Sequence, residues 1–191
     1  MTAQDLLKTH TKHRLTAEEF VLLDEAGAFG DRRTELFGGD VYYTGPKHRP
    51  HARVLTQMIV AVGKAIEAAD LRLGILTDIS VRLSDHDVSE PDLVVTDAAE
   101  GEGILPGEAA KLVIEIADST LATDLGIKAD LYADAGVPEY WVVDVNEDRV
   151  LLHANPRVDG SGYDGQLDVP FGEPLYSATI EGLTVETSQL G

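Results

Sequence analysis

Three ionisable side chains lie where the residues around them predict little water. Asp92 stands at the mouth of the apolar run Leu93, Val94, Val95 in SEPDLVVTD, Glu115 is embedded in LVIEIA, and Lys128 follows in DLGIKADLYADAG. A bare charge in such a place costs on the order of several kcal/mol, so a partner is expected. If the two strands are neighbours, Asp92 and Glu115 converge and can hold a divalent cation such as magnesium or manganese, which prefers carboxylate and water oxygens. Each acid also has a plainer reading. Pro-Asp is common in turns, which makes Asp92 a polar strand entrance, and a buried glutamate is often ion-paired to a lysine.

Lys128 is read from helical geometry. At about 100° per residue, Leu125, Ala129, Tyr132 and Ala135 define an apolar arc from which Asp130 and Asp134 point away, and Lys128 falls inside it. Its ammonium can then reach the carboxylates, where it orients a water or offsets negative charge on a phosphate. The alternative is a lysine whose stem covers apolar surface.

The elements that carry these residues follow from pattern. LTAEEF starts a helix with Thr16 as N-cap, Glu19 as its reciprocal partner, and Leu15 and Phe20 as a hydrophobic staple; Gly27 stops it. TELFGGDVYY reads as a hairpin turned at Gly38 and Gly39. From His51 to about Ala69, the residues Val54, Met58, Val62 and Ile66 recur every fourth position and line one helix face. LGILTDISVRL, the Pro-Asp strand and KLVIEIA are strands, the last two apolar enough to be covered on both faces. A helix over TDLGIKADLYADAG closes at Gly136, and PEYWVVDV pairs with RVLLH. Residues 155–174, rich in Gly, Pro and Asp, read as loop, and ATIEGLTVE as a late edge strand. Trp141, Tyr140 and Tyr132 are read as packing residues rather than a base-stacking platform.

The 191 residues, 43% of them hydrophobic, suffice for one core, so one domain over 1–191 is expected. The start MTAQDLLKTH carries no basic-then-apolar leader pattern, and no run approaches the roughly 20 apolar residues of a membrane span. A cytoplasmic protein with no membrane partner is the expectation. With no cysteine, thiolate metal sites and disulfides are excluded. The net charge of −19 speaks against a polyanion partner, but residues 1–82 hold 11 basic and 11 acidic residues, so the excess lies wholly in 83–191. Within the neutral part, PKHRPHAR gathers Lys47, His48, Arg49, His51 and Arg53 at a helix start, the best local candidate for phosphate contact; the plainer reading is a solvated loop. No glycine-rich phosphate loop, serine elbow or HExxH pattern is present.

EPDLVV, LVIEIADST and above all DLGIKADLYADAGVPEYWVVD, with ELFGGDVY and HARV before them, resemble the bacterial Uma-type family of restriction endonucleases, a branch of the PD-(D/E)XK nuclease superfamily. The resemblance spans about 15–153, leaving a C-terminal loop and edge strand at 154–191. It implies an α/β fold with a restriction-endonuclease-like α/β/α core, a mixed central sheet flanked by helices. It also implies Asp92 and Glu115 as metal-binding acids, Glu35 as an additional acid from the first hairpin strand, and cleavage of nucleic acid, DNA first, by a homodimer using magnesium or manganese. The superfamily signature places a lysine two residues after the second acid, where this chain has Ala117; the resemblance implies that Lys128 takes over from the following helix. The rival expectation, from a different class, is a catalytically inactive acidic protein-interaction module that keeps the fold.

Overall fold

The computed structural model describes residues 11–191; the N-terminal segment read for a leader lies outside them. Thr16 closes the expected capping box, its hydroxyl accepting from Glu19 N at 3.2 Å while Glu19 Oε2 accepts from Thr16 N at 2.9 Å. Helix α1 (Ala17–Glu25) follows. Strands β1 (Thr34–Phe37) and β2 (Asp40–Tyr43) pair antiparallel with Phe37 opposite Asp40. That register leaves a two-residue turn, and Gly38 and Gly39, at φ +57° and +78°, supply the left-handed conformations it requires. Helix α2 (Arg49–Ala68) starts two residues before His51, with Pro50 in its first turn.

Two mixed sheets and a ribbon complete the architecture. The larger sheet runs β11–β10–β9–β8–β6–β3, built from β3 (Gly74–Leu76), β6 (Leu93–Thr96), β8 (Ala110–Ala117), β9 (Glu139–Asp144), β10 (Arg149–Pro156) and β11 (Tyr163–Pro170). Only β8 and β9 are parallel in it. The smaller sheet runs β2–β1–β5–β4–β7, with β4 (Val81–Arg82), β5 (Val88–Ser89) and β7 (Leu105–Pro106).

Alternation along β8 sends Leu112, Ile114 and Ile116 to the α2 side, against Val54, Met58, Val62 and Ile66. Val113 and Ala117 go to the other side, against Ala129, Tyr132 and Ala133. Both faces are thus covered by helix, which is why β8 reads as nearly continuous aliphatic sequence. Glu115, of the same parity as Val113, is delivered to the second face.

Two expectations are corrected. The segment 155–174 is not all loop: β11 occupies Tyr163–Pro170 and pairs along the whole of β10. Its sparse apolar content, Tyr163 and Val169 alone buried, hid a strand at the sheet edge with one wet face. The late strand β13 (Thr184–Glu186) pairs with β12 (Pro174–Tyr176) in a separate ribbon whose Leu175, Leu183 and Val185 extend the α2 core. Among the described residues, no helix is long and apolar enough to cross a membrane.

Candidate active site

β6 and β8 pair antiparallel with Leu93 opposite Ile114, so one step further along the register Asp92 comes beside Glu115 and Ile116. The backbone N–H of Ile116 donates to Asp92 Oδ2 at 2.8 Å. Lys47 Nζ donates to Asp92 Oδ1 at 3.0 Å, and His51 Nε2 lies 3.0 Å from Oδ2. Across the sheet, Lys128 Nζ donates to Glu115 Oε1 at 2.9 Å and stands 3.0 Å from Glu35 Oε1. Tyr132 Oη also donates to Glu115 Oε1, and Glu35 Oε1 accepts from Ser89 Oγ and Glu90 N. The acids Glu35, Asp92 and Glu115 are at most 4% exposed. They lie beneath a cleft of about 280 Å³ lined by Glu35, Lys47, His51, Glu115, Asp124 and Lys128 among others.

The route by which Lys128 arrives differs from the straight helix read in the sequence. Leu121–Thr123 is a single α-turn, Asp124–Lys128 a π-turn with Gly126 at φ −101° and ψ −106°, and α-helix resumes at Ala129–Asp134. The wider turn swings Leu125 out to solvent and turns Asp124 and Lys128 inward.

The structure therefore brings Asp92, Glu115, Glu35 and Lys128 into one cluster and divides the basic segment. Lys47 and His51 turn inward to Asp92, whereas Arg49 is exposed and Arg53 reaches Gln57 and the Leu190 carbonyl. Among the described residues, His51 Nδ1 is buried without a partner. Sequence reading missed three members: Tyr132 and Ser89, which tie Glu115 to Glu35 through a 2.9 Å contact between their oxygens, and Asp124, buried beside Thr120. The acidic position in a π-turn gave no periodic signal, and a tyrosine in an apolar arc looks the same whether or not its hydroxyl finds a carboxylate.

The charges of the site are set by burial and neighbours. At Asp92 burial works upward, but the His51 hydrogen bond, the Lys47 and His51 charges and the Ile116 N–H outweigh it and hold the carboxyl well below its usual range. Glu115 goes the other way: burial pushes it up to about 8, with Asp92, Asp124 and Glu35 adding to a rise that Lys128 only partly opposes. Lys128 loses to burial but gains more from Glu115 and Glu35, so it stays an ammonium. Lys128 offsets one of two adjoining carboxylates, and the other keeps its proton.

A stability consequence follows. Glu115 holds its proton in the folded chain to about pH 8 but releases it near 4.5 when unfolded. Its contribution is complete below the unfolded value and is lost as pH rises through the folded one. The melting temperature of Glu115→Gln relative to the parent is therefore expected to climb from pH 5 to pH 8.5 in scanning calorimetry. Parallel profiles for the two chains would contradict the assignment.

In donor type the site suits a hard divalent cation. Two carboxylates adjoin, and among the described residues Glu115 Oε2 makes no hydrogen bond. Also among them, no group of three or more His, Asp or Glu is gathered to ligate a metal. An ion here would rest on one or two protein carboxylates and water, the arrangement magnesium commonly accepts.

Residues 17–188 match the family Uma2, described as putative restriction endonuclease. The chain belongs to the Uma2 family. The crystal structure of a putative nuclease belonging to DUF820 from Anabaena variabilis has a similar fold, with TM-score 0.70 at 14% identity over 92% of this chain and 97% of that one. No curated protein matches. The Uma2 match takes in the hairpin, β6, β8 and the π-turned helix, and hence every residue of the cluster described above.

Proposed function

We propose that the chain is a metal-dependent endonuclease that hydrolyses phosphodiester bonds of nucleic acid, with Asp92, Glu115, Glu35 and Lys128 as its working residues. The observation carrying the reading is the lysine held 2.9 Å and 3.0 Å from two buried glutamates at the floor of an open cleft. Membership of Uma2 supports it. Magnesium or manganese on Asp92 and Glu115 would supply a low-pKa water and an electrophile for the scissile phosphate. Everything else falls to the chain. Lys128 has three N–H donors, one of them given to Glu115 while the ammonium also ion-pairs with Glu35, which leaves donor capacity for the attacking water or a phosphate oxygen. Ile116 N–H, His51 and Lys47 fix the Asp92 carboxylate in orientation and keep it ionised. Glu35, anchored by Ser89 and Glu90, stands ready to take a proton relayed through the ammonium. Arg49 and Arg53 remain at the surface for phosphate contact. A homodimer would present two such clefts to the nucleic acid.

The test is nicking of supercoiled plasmid, and of single-stranded DNA and RNA, with magnesium, manganese or chelator. Cleavage that needs the metal is expected. The rival reading, a catalytically inactive acidic interaction module, draws on the −19 charge and on the cations already taken up by the acids. Inactivity across all metals and substrates would favour it.

A further inference from the structure

The cleft has an aromatic wall to which no role has been given. In the β1–β2 hairpin, Tyr42 lies directly opposite Glu35, so their side chains share one face of the sheet, and Phe37, two residues from Glu35, joins them. The Phe37 and Tyr42 rings sit 5.6 Å apart with planes at 40°, and both residues line the cleft. Tyr42 is 51% exposed, unusual for a large ring beside a buried carboxylate cluster. Tyr43 also borders the cleft and is as exposed, but its side chain leaves the opposite face of the hairpin, and the Arg32 guanidinium covers its ring at 4.7 Å.

Electrostatics give this cleft little purchase on a phosphate backbone. Lys47 is paired to Asp92, Lys128 to Glu35 and Glu115, and Arg33 to Glu90, while the chain carries −19 overall. Within the cleft, a ligand must then gain affinity from more than the counterion release that Arg49 and Arg53 outside it would supply. The acids are also almost wholly covered, so a phosphate must enter the cleft to meet them. A phosphate that enters brings its own nucleoside alongside Tyr42, and a base presents its face to an aromatic ring only when it has left the duplex stack.

Resting on the nuclease reading of the same site, we propose that Phe37 and Tyr42 form a base-stacking wall that selects single-stranded or unpaired nucleic acid over intact duplex. Stacking is indifferent to the sugar, so DNA and RNA strands share the chemistry.

The experiment is fluorescence anisotropy in chelator, with labelled oligo-dT, oligo-rU and a duplex of mixed sequence, read separately from cleavage. The single strands are expected to bind more tightly than the duplex, with a shallow salt dependence, and the dT and rU arms tell whether one sugar is preferred. Tyr42→Ala is expected to weaken single-strand binding by at least about fivefold, the lower end of one lost stack. Tyr42→Phe retains affinity, and Tyr176→Ala, an exposed tyrosine of the C-terminal ribbon outside the cleft, leaves it unchanged. Strand binding that depends on Tyr42 in a chain that never cleaves would sink the nuclease reading and leave the wall standing. Equal or tighter duplex binding, no binding at all, an indifferent Tyr42→Ala, or an equal loss in Tyr176→Ala would each overturn the wall, whatever the cleavage assay gives.

Discussion

Lys128→Met is expected to cut plasmid nicking by about 10²–10³-fold, the loss usual when a preorganised donor to developing charge is removed, and to cost about 3–5 kcal/mol of stability. The two effects have one origin. Lys128 is the only cation within contact distance of Glu35 and Glu115 among the described residues, and both acids are nearly inaccessible to water. Removing the ammonium while keeping methylene bulk leaves two buried carboxyls sharing one site with no cation beside them among the described residues. Denaturant midpoints should then fall more at pH 8 than at pH 5. The double variant Lys128→Met with Glu115→Gln should recover part of the stability at pH 8, because glutamine needs no proton taken up on folding, and none of the cleavage. Full activity in the single variant would remove Lys128 from the chemistry. Unchanged stability would mean that the pair is not the buried contact described.

How much of this was legible beforehand depends on whether the signal was local. Asp92 and Glu115 announced themselves because an acid beside or within Leu-Val-Val or Leu-Val-Ile is costly wherever the chain takes it, and the capping box and the Gly38–Gly39 turn are written within a few residues. Lys128 was found by an arc that assumed a regular α-helix, and it lies inward although the π-turn sends Leu125, one of the residues that defined the arc, outward. Lys47 and His51 read as candidates for phosphate contact, but their pairing with Asp92 could not be read. They lie 45 and 41 residues from Asp92, and a basic segment at a helix start has the same pattern whether its cations face solvent or a buried acid. β11 was hidden for the opposite reason: an edge strand needs few apolar residues, because its partner β10 already supplies the hydrogen bonds.

Glu139 gives the contrast that separates a structural buried acid from the cluster in the cleft. At 0% exposure it accepts five hydrogen bonds: Trp141 Nε1 at 2.6 Å, Ser177 Oγ at 2.6 Å, Thr179 Oγ1 at 2.7 Å, Thr179 N at 2.9 Å and Ala178 N at 3.1 Å. No cation pairs with it among the described residues; its donors are the turn between β12 and β13 and its own strand. The carboxylate therefore ties the C-terminal ribbon to the central sheet, beside the packing of Leu175, Leu183 and Val185 on the α2 core. Glu139→Ala orphans the buried indole N–H and releases the turn, at a cost of about 2–5 kcal/mol. Glu139→Gln should cost nearly as much, since its amide N–H₂ would face donors rather than acceptors. Trp141 is the sole tryptophan, so its emission reports the site directly: a red shift and earlier unfolding are expected in both variants. Below the melting transition, metal-dependent cleavage per folded molecule should hold at the parent level. A loss of cleavage with stability intact would move Glu139 into the catalytic machinery and break the distinction drawn between five neutral donors and a shared lysine.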